Sequence, residues 1–406
     1  MKKELNIIHR PYYTDKIRPY IDKPLIKILT GQRRIGKSYL LRQLMEIIVN
    51  ENPDAHLIYI SKELKDFEDI QNENDLYQHI KKELDLNKKN YVFIDEIQEI
   101  KNFQHCLRSL LVESNCDLYC TGSNANMLSG ELATYLAGRY MEFNVHSLSY
   151  AEFLNFHQLQ DSNESLQKYM RIGGMPYLIH FNADEKLSFE YLRNLYSTIL
   201  LKDVIARKQI RNVDFLERLV HYIADNVGSL FSATNIAKYL KSQRQQVPTQ
   251  MVIDYSQALT QAYFIYKVPR IDIQGLKIFE IGEKYYFEDL GIRNAIRGIN
   301  PLTEIQKWLE NLVYLHLLRL GYTVYVGKTD QLEIDFVGQL LQERVYIQVS
   351  MRIDSKSTRK REVASLLKTT DNFPKYIVTL DDFALGITSE GIHVVHLREF
   401  LMLEKV

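Results

Sequence analysis

Cysteine is scarce in this 406-residue chain, which carries only Cys106, Cys116 and Cys120. Cys116 and Cys120 fall on one face of an expected strand, without CxxC spacing or a neighbouring histidine. That pattern excludes a disulfide framework and a zinc-ligand set, and favours a reducing compartment. Net charge is lacking as well: 51 Lys plus Arg balance 51 Asp plus Glu. Any nucleic-acid contact must therefore be a local patch. No stretch reaches the ~18 uninterrupted apolar residues of a membrane-crossing helix. Met1–Ile8 also lacks the long apolar run of a secretion signal. A soluble, cytoplasmic protein without a membrane partner is expected. Apolar residues make up 46% of the chain, enough for the two or three packed domains expected at this length.

One stretch organises the rest. Gly31-Gln32-Arg33-Arg34-Ile35-Gly36-Lys37-Ser38 reads GxxxxGKS. Its glycines let the backbone curl so that successive amides face one phosphate. Lys37 is placed to reach β- and γ-phosphates, and the Ser38 hydroxyl to ligate Mg²⁺. Context supports this reading. Leu25–Thr30 has a buried-strand pattern, and Tyr39–Ile48 has helical apolar spacing. Strand, loop and helix in that order put the phosphate at a helix N-terminus.

Tyr91–Glu96 is an apolar run ending in two acids. A buried parallel strand opens at its C-terminal end onto the ligand crevice. Asp95 is expected in the Mg²⁺ shell and Glu96 as the base for an attacking water. Asp117–Asn124 reads as strand then polar loop. Asn124 is the candidate water sensor, Ser123 and Thr121 are alternatives, and a helix N-cap is the competing reading. Arg139 precedes the strand Met141–Val145 and is expected at the mouth of the sheet. It would stabilise transferring phosphate, on a neighbouring subunit in an oligomer, or else form a surface ion pair. Tyr12 or Tyr13 could stack on an adenine or simply pack.

Six motifs now fall in one order: Gly31–Ser38, Ile94-Asp-Glu-Ile-Gln, Thr121-Gly-Ser-Asn, Gly138-Arg-Tyr, Leu148-Ser-Tyr-Ala-Glu-Phe and Gly173-Gly-Met-Pro. The set resembles the prokaryotic AAA-type ATP-binding protein family whose members carry a C-terminal domain of unknown function. The likeness covers essentially the whole chain. It implies an α/β fold, a P-loop AAA+ core with a five-stranded parallel sheet, in which Lys37, Ser38, Asp95, Glu96, Asn124 and Arg139 take functional positions. It also implies ATP and Mg²⁺ as cofactors and homo-oligomers, with a hexameric ring as the AAA+ analogy. His146-Ser147 departs from the pattern, where the family usually has a proline. A local loop difference is expected there.

The core is expected over 1–148 and a helical lid over 149–211. In the lid, Ser149 opens a helix, Glu190–Arg207 is amphipathic, and Arg171 is the candidate for a second sensor. Residues 212–300 read as a winged helix-turn-helix, with strands Phe264–Arg270 and Leu276–Glu280 and a wing at Asp272–Gly275. Its third helix, Thr249–Gln261, carries no Lys or Arg; the flanking bases are Lys238, Lys241, Arg244, Arg270 and Lys277. Packing or protein contact competes with major-groove binding.

Residues 301–406 have the αβββαβ order of a restriction-endonuclease-like fold, with Glu310 and Asp335 as acids. Gln348-Val349-Ser350 stands where such nucleases need Glu-x-Lys, which argues against cleavage. Arg352, Lys356, Arg359, Lys360 and Arg361 form a basic cluster suited to DNA phosphates, or a solvated helix start. The leading expectation is an AAA+ ATPase that couples ATP hydrolysis to DNA binding or remodelling through its C-terminal half. A nucleotide-controlled switch for protein partners and an ATP-gated nuclease are the alternatives.

Overall fold

The computed structural model describes residues 7–112, 115–128, 135–136, 138–273, 275, 278–329, 332–353, 356–369, 371–382 and 385–406. The chain divides into two compact units. One is Met1–His146 with Gln261–Tyr263; the other is Ser147–Thr260 with Phe264–Val406.

In the first unit, helix α1 (Pro11–Ile17) starts on a proline, whose missing N–H costs nothing at a helix start. The elements that follow are β1 (Ile26–Thr30), α2 (Lys37–Glu51), β2 (His56–Ser61), α3 (Glu73–Glu83), β3 (Asn90–Asp95), α4 (Phe103–Val112), β4 (Cys116–Gly122) and β5 (Tyr140–Asn144). Asn72 and Asp75 close a reciprocal cap at the start of α3. The strands form one parallel sheet in the order β2-β3-β4-β1-β5. Every residue of β1 and β3 is buried, as a parallel sheet covered on both faces requires. The expected five-stranded parallel α/β core is present.

One charge sits inside that sheet. Lys27 in β1 is fully buried and pairs with Asp117 of β4. Asp117 also accepts from the Tyr119 hydroxyl at 2.7 Å and the Asp22 amide at 2.9 Å. Burial pulls the Lys27 amine below its ordinary value, and Asp117 opposes this.

The second unit opens with helices α5 (Tyr150–His157), α6 (Asn163–Ile172) and α7 (Glu185–Ile199), which runs on as a π-helical turn, Leu200–Ala206. Helices α8 (Val213–Asp225), α9 (Ala233–Ser242) and α10 (Thr249–Gln261) follow. Gln261, the last residue of α10, counts with the first unit. Then come β6 (Ile265–Asp272), β7 (Ile278–Phe287), α11 (Leu290–Arg297), α12 (Pro301–Arg319), β8 (Thr323–Lys328), β9 (Glu333–Leu340), β10 (Glu343–Ser350), α13 (Lys356–Leu366), β11 (Lys375–Thr379), β12 (Gly386–Ile387), β13 (His393–His396) and α14 (Leu397–Phe400).

The hairpin expected as a separate wing is part of something larger. β6 pairs antiparallel with β7 and parallel with β8, giving a mixed sheet ordered β12-β13-β11-β10-β9-β8-β6-β7. A domain boundary at residue 300 would cut through this sheet. The reason is edge pairing: β6 would otherwise present an unpaired row of N–H and C=O groups. Gln274, Leu276 and Lys277, read as wing, strand start and flanking base, lie outside the described residues.

The departure at His146-Ser147 also has a physical reason. The His146 N–H donates to the Tyr13 hydroxyl at 3.0 Å. The Ser147 N–H donates to Glu288 Oε1 at 2.7 Å. A proline at either position would remove a buried donor and strand its acceptor.

Candidate nucleotide site

At the C-terminal end of β1 the chain turns directly into Gly31–Gly36. Gly31 has φ 139° and Gly36 φ 95°, and Arg34 between them is also left-handed, with φ 66°. A Cβ on Gly31 would collide with the Val145 carbonyl and the Ile35 side chain, so only glycine fits. Ile35 and Gln32 are buried, and Arg34 is exposed. Lys37 opens α2 and is 4% exposed. Its amine donates to the carbonyls of Gly31 at 2.9 Å and Gln32 at 2.8 Å, inside the loop it belongs to. Arg33 lies 3.7 Å from Glu63.

Sequence reasoning missed the residue that pins this loop. Arg10 is 3% exposed and donates to the Ile35 carbonyl and the His146 carbonyl, each at 3.0 Å. Its guanidinium lies 4.5 Å from the centre of the Tyr13 ring. Tyr13 is therefore committed to packing, while Tyr12 is 42% exposed.

Asp95 ends β3 next to the loop and is buried. Its Oδ1 accepts from the Ser38 hydroxyl at 3.0 Å and the Thr121 hydroxyl at 2.6 Å. Its Oδ2 accepts from Ser61 at 3.3 Å and Tyr59 at 3.4 Å. Glu96 follows with a left-handed backbone, φ 55°, a strained conformation for a non-glycine residue. It is held there by its N–H, which donates to Thr121 Oγ1 at 2.9 Å. Its Oε2 accepts from Ser123 at 3.2 Å and from the Gln98 amide.

Burial by itself would raise the Glu96 pKa. The charges of Lys37 and Arg33 and the hydrogen bonds from Gln98 and Ser123 outweigh burial and hold it below its ordinary value. The carboxylate is thus ionised at neutral pH. Gln98 was visible as the last letter of the Asp-Glu-Ile-Gln motif, but its contact with Glu96 was not.

The strand β4 brings Thr121 and Ser123 onto the two acids. Asn124 is half-buried, one residue further, and its carbonyl accepts from the Met127 N–H at 3.1 Å. Arg139 is exposed and precedes β5. Because β5 runs parallel to β1 with Tyr140 beside Ile26, Arg139 sits at the N-terminal edge of the sheet. The mouth, at Thr30, lies about five residues further along the strand, or about 17 Å at ~3.3 Å per residue. The expected place at the mouth is corrected: Arg139 lies at the opposite edge, so it is remote from the phosphate loop of its own chain.

In the second unit, Arg171 pairs with Glu185 at 2.8 Å. Lys238, Lys241 and Arg244 are exposed at the end of α9 and in the turn after it, with Tyr239 65% exposed among them. Arg270 is instead engaged by Glu333 at 3.7 Å. In the C-terminal cluster Arg352 is exposed, and Arg361 pairs with Glu362 at 2.6 Å. Lys356, Arg359 and Lys360 belong to α13, but their side chains lie outside the described residues.

The acids of the C-terminal sheet do come together. The Asp335 N–H donates to Gln348 Oε1 at 3.3 Å, and Asp335 Oδ2 accepts from the Val349 N–H at 2.8 Å. Burial and the nearby Glu310 push the Asp335 carboxyl well above its ordinary range. A lysine is present after all, from β7. Lys284 is 4% exposed and 2.7 Å from Glu333. Burial lowers its pKa, but Glu310, Asp335 and Glu333 outweigh this and raise it. It remains charged and neutralises the cluster.

The chain is similar to several known proteins. The family described as "AAA domain" matches residues 23–154, and that described as "Domain of unknown function (DUF8612)" matches 163–303. An uncharacterized protein of Haemophilus influenzae is 32% identical over 402 residues, 98% of this chain and 99% of that one. An uncharacterized protein of Methanocaldococcus jannaschii is 26% identical over 381 residues, 88% of this chain and 82% of that one. Among solved structures, the Thermotoga maritima RuvB Holliday junction branch migration motor aligns at 14% identity and TM-score 0.34, over 64% of this chain and 90% of that one. With an AAA domain over its nucleotide half and a full-length relative at that identity, the chain belongs to the prokaryotic AAA-type ATP-binding protein family whose members carry a C-terminal domain of unknown function.

Proposed function

We propose that this protein is an ATPase that hydrolyses ATP with Mg²⁺ and couples the cycle to DNA binding or remodelling. The observation that carries the ATPase reading is the cluster around Asp95: Ser38 and Thr121 on Asp95, with an ionised Glu96 beside them. The donor set fits a divalent cation, since a hydroxyl and a carboxylate oxygen 3.0 Å apart are hard ligands. Ser38 and Asp95 would hold Mg²⁺, which would supply positive charge to the phosphate oxygens.

The chain's own residues supply the rest. The amides of Gly31–Gly36 and the Lys37 ammonium bind the phosphates. Lys37 exchanges the carbonyls of Gly31 and Gln32 for phosphate oxygens, a stronger charge-assisted pairing. Glu96 orients a water and takes its proton as the oxygen attacks the γ-phosphorus, while the bond from that phosphorus to the β,γ-bridging oxygen breaks and ADP leaves. Ser123 and Gln98 keep that carboxylate aimed, and Asn124 senses the same water. Arg139, remote from its own phosphate loop, acts on the nucleotide of an adjacent subunit in a homo-oligomer.

Support for DNA as partner comes from the exposed Lys241 and Arg244 beside Tyr239, and from exposed Arg352. The sequence adds Lys356, Arg359, Lys360 and Arg361 at the start of α13. Aromatic rings among bases suit stacking and phosphate contact. The deciding experiment measures phosphate release by wild type and Lys37→Ala, with and without single-stranded, duplex and branched DNA. Equal release by the two proteins ends the ATPase reading. ATPase activity with no salt-sensitive DNA binding leaves the nucleotide-controlled switch for protein partners.

A further inference from the structure

Helix α9 and the turn after it carry bases and no acid. No Asp or Glu occurs between Asp225 and Asp254, in a chain that holds 51 of them. Lys238, Lys241 and Arg244 therefore make a local positive patch on a protein of zero net charge. All three are exposed. Among them stands Tyr239, 65% exposed, the most exposed tyrosine of the described residues.

The helical repeat decides how these side chains are arranged. At 3.6 residues per turn, Lys241, Lys238, Ser242, Asn235 and Tyr239 follow one another around a single face. Ile236 and Ala237 are buried on the other side. The dipole favours cations near a helix C-terminus, which accounts for Lys241 and Arg244 by themselves. It gives no reason for an aromatic ring among them. Arg244 is left-handed as well, φ 61°, just past a helix end where glycine would fit without strain.

The next helix, α10, offers no such surface. Its exposed residues include Gln250, Ile253, Asp254 and Gln257, and it has no Lys or Arg. The Gln250 amide donates to Asp254 Oδ1 at 2.8 Å. A carboxylate on that face repels phosphates, so α10 is poorly suited to lie in a duplex groove.

We infer that α9 and the turn after it bind single-stranded DNA, with the Tyr239 ring stacked on a base and Lys238, Lys241 and Arg244 on the adjoining phosphates. This rests on the DNA reading above and specifies the strand state. In a duplex the neighbouring bases cover both faces of each base, so a ring on a helix surface reaches a base face only where the base is unstacked. A single strand presents those faces freely. Stacking on them is tolerant of sequence, because every base has a π-face.

Full-length protein is titrated with labelled oligo(dT) and with a blunt duplex of the same length, and binding is read by fluorescence anisotropy at stepped salt. Tyr239→Ala should weaken oligo(dT) binding by about tenfold and leave duplex affinity within about twofold. Tyr239→Phe keeps the ring and should retain binding. Lys241→Gln should lower the slope of log affinity against log salt by about 0.7 for the single strand. Undiminished oligo(dT) binding in Tyr239→Ala, an equal loss on the duplex, or tighter binding of a matching RNA strand each overturns the assignment. Binding of the duplex without oligo(dT) also overturns it and leaves the DNA reading standing. Absence of binding to either DNA ends both.

Discussion

The Thr121 hydroxyl donates to Asp95 Oδ1 at 2.6 Å and accepts the Glu96 N–H at 2.9 Å. One side chain from β4 thus fixes both acids at the end of β3, including the left-handed turn at Glu96. Thr121→Val keeps the shape and loses both bonds. It should cost about 1–3 kcal/mol of stability and reduce phosphate release at least about tenfold. Thr121→Ser should restore most of each. Denaturant unfolding and single-turnover hydrolysis measure the two effects.

Glu96→Gln removes the base and leaves the carbonyls, Lys37 and Ser38 in place. Hydrolysis should fall by roughly 10²–10⁴-fold while ATP binding persists. Wild-type turnover in this variant, measured beside equilibrium binding of a fluorescent ATP analogue, would remove Glu96 from the mechanism.

Arg139 stands at the far edge of the sheet from its own phosphate loop. Arg139→Ala should lose about 10³-fold or more of the ATPase rate without losing nucleotide affinity. Mixing it with Glu96→Gln should recover activity, because a mixed oligomer contains interfaces with an intact arginine facing an intact glutamate. Failure of the mixture to recover, with oligomers shown by light scattering, counts against action across an interface.

The buried Lys27–Asp117 pair belongs to stability rather than chemistry. Asp117→Ala leaves a lysine in the sheet without its counter-charge and should cost about 3–5 kcal/mol. Replacing both, as Lys27→Met with Asp117→Leu, should recover most of that loss. Chemical denaturation of the two variants provides the comparison.

His316 is buried in α12, and burial, with Arg319 nearby, lowers its pKa to about 3. The unfolded chain therefore takes up this proton first as pH falls. The stability is fully present above pH 6.5 and is lost progressively down to about 3. Asp289 works in the opposite sense: burial raises it to about 6, so its native form binds the proton earlier. Its contribution grows as pH falls through about 6. His316→Phe should flatten the acid side of the stability curve by up to ~1.4 kcal/mol per pH unit, read from unfolding at stepped pH.

Local chemistry made the nucleotide half legible in the sequence. Gly31–Ser38 and Asp95-Glu96 announce themselves because a phosphate loop needs glycines and a basic residue at fixed spacing, and a buried parallel strand needs an apolar run. Those demands act over a few consecutive residues. Arg10 on the loop, Thr121 across two acids and the edge on which Arg139 falls depend on strand order, which no local pattern encodes.

The second unit shows the same division. Ser350 marks a missing lysine in the chain order, yet Lys284 reaches the acids from another strand. The sequence by itself determined most of the elements and where the Gly31–Ser38 loop lies, because periodicity and turn chemistry are short-range. Only the tertiary structure decided which distant side chains meet. It joined β6 and β7 to the C-terminal sheet and brought Lys284 to Glu333, because strand pairing and burial act between segments far apart in the chain.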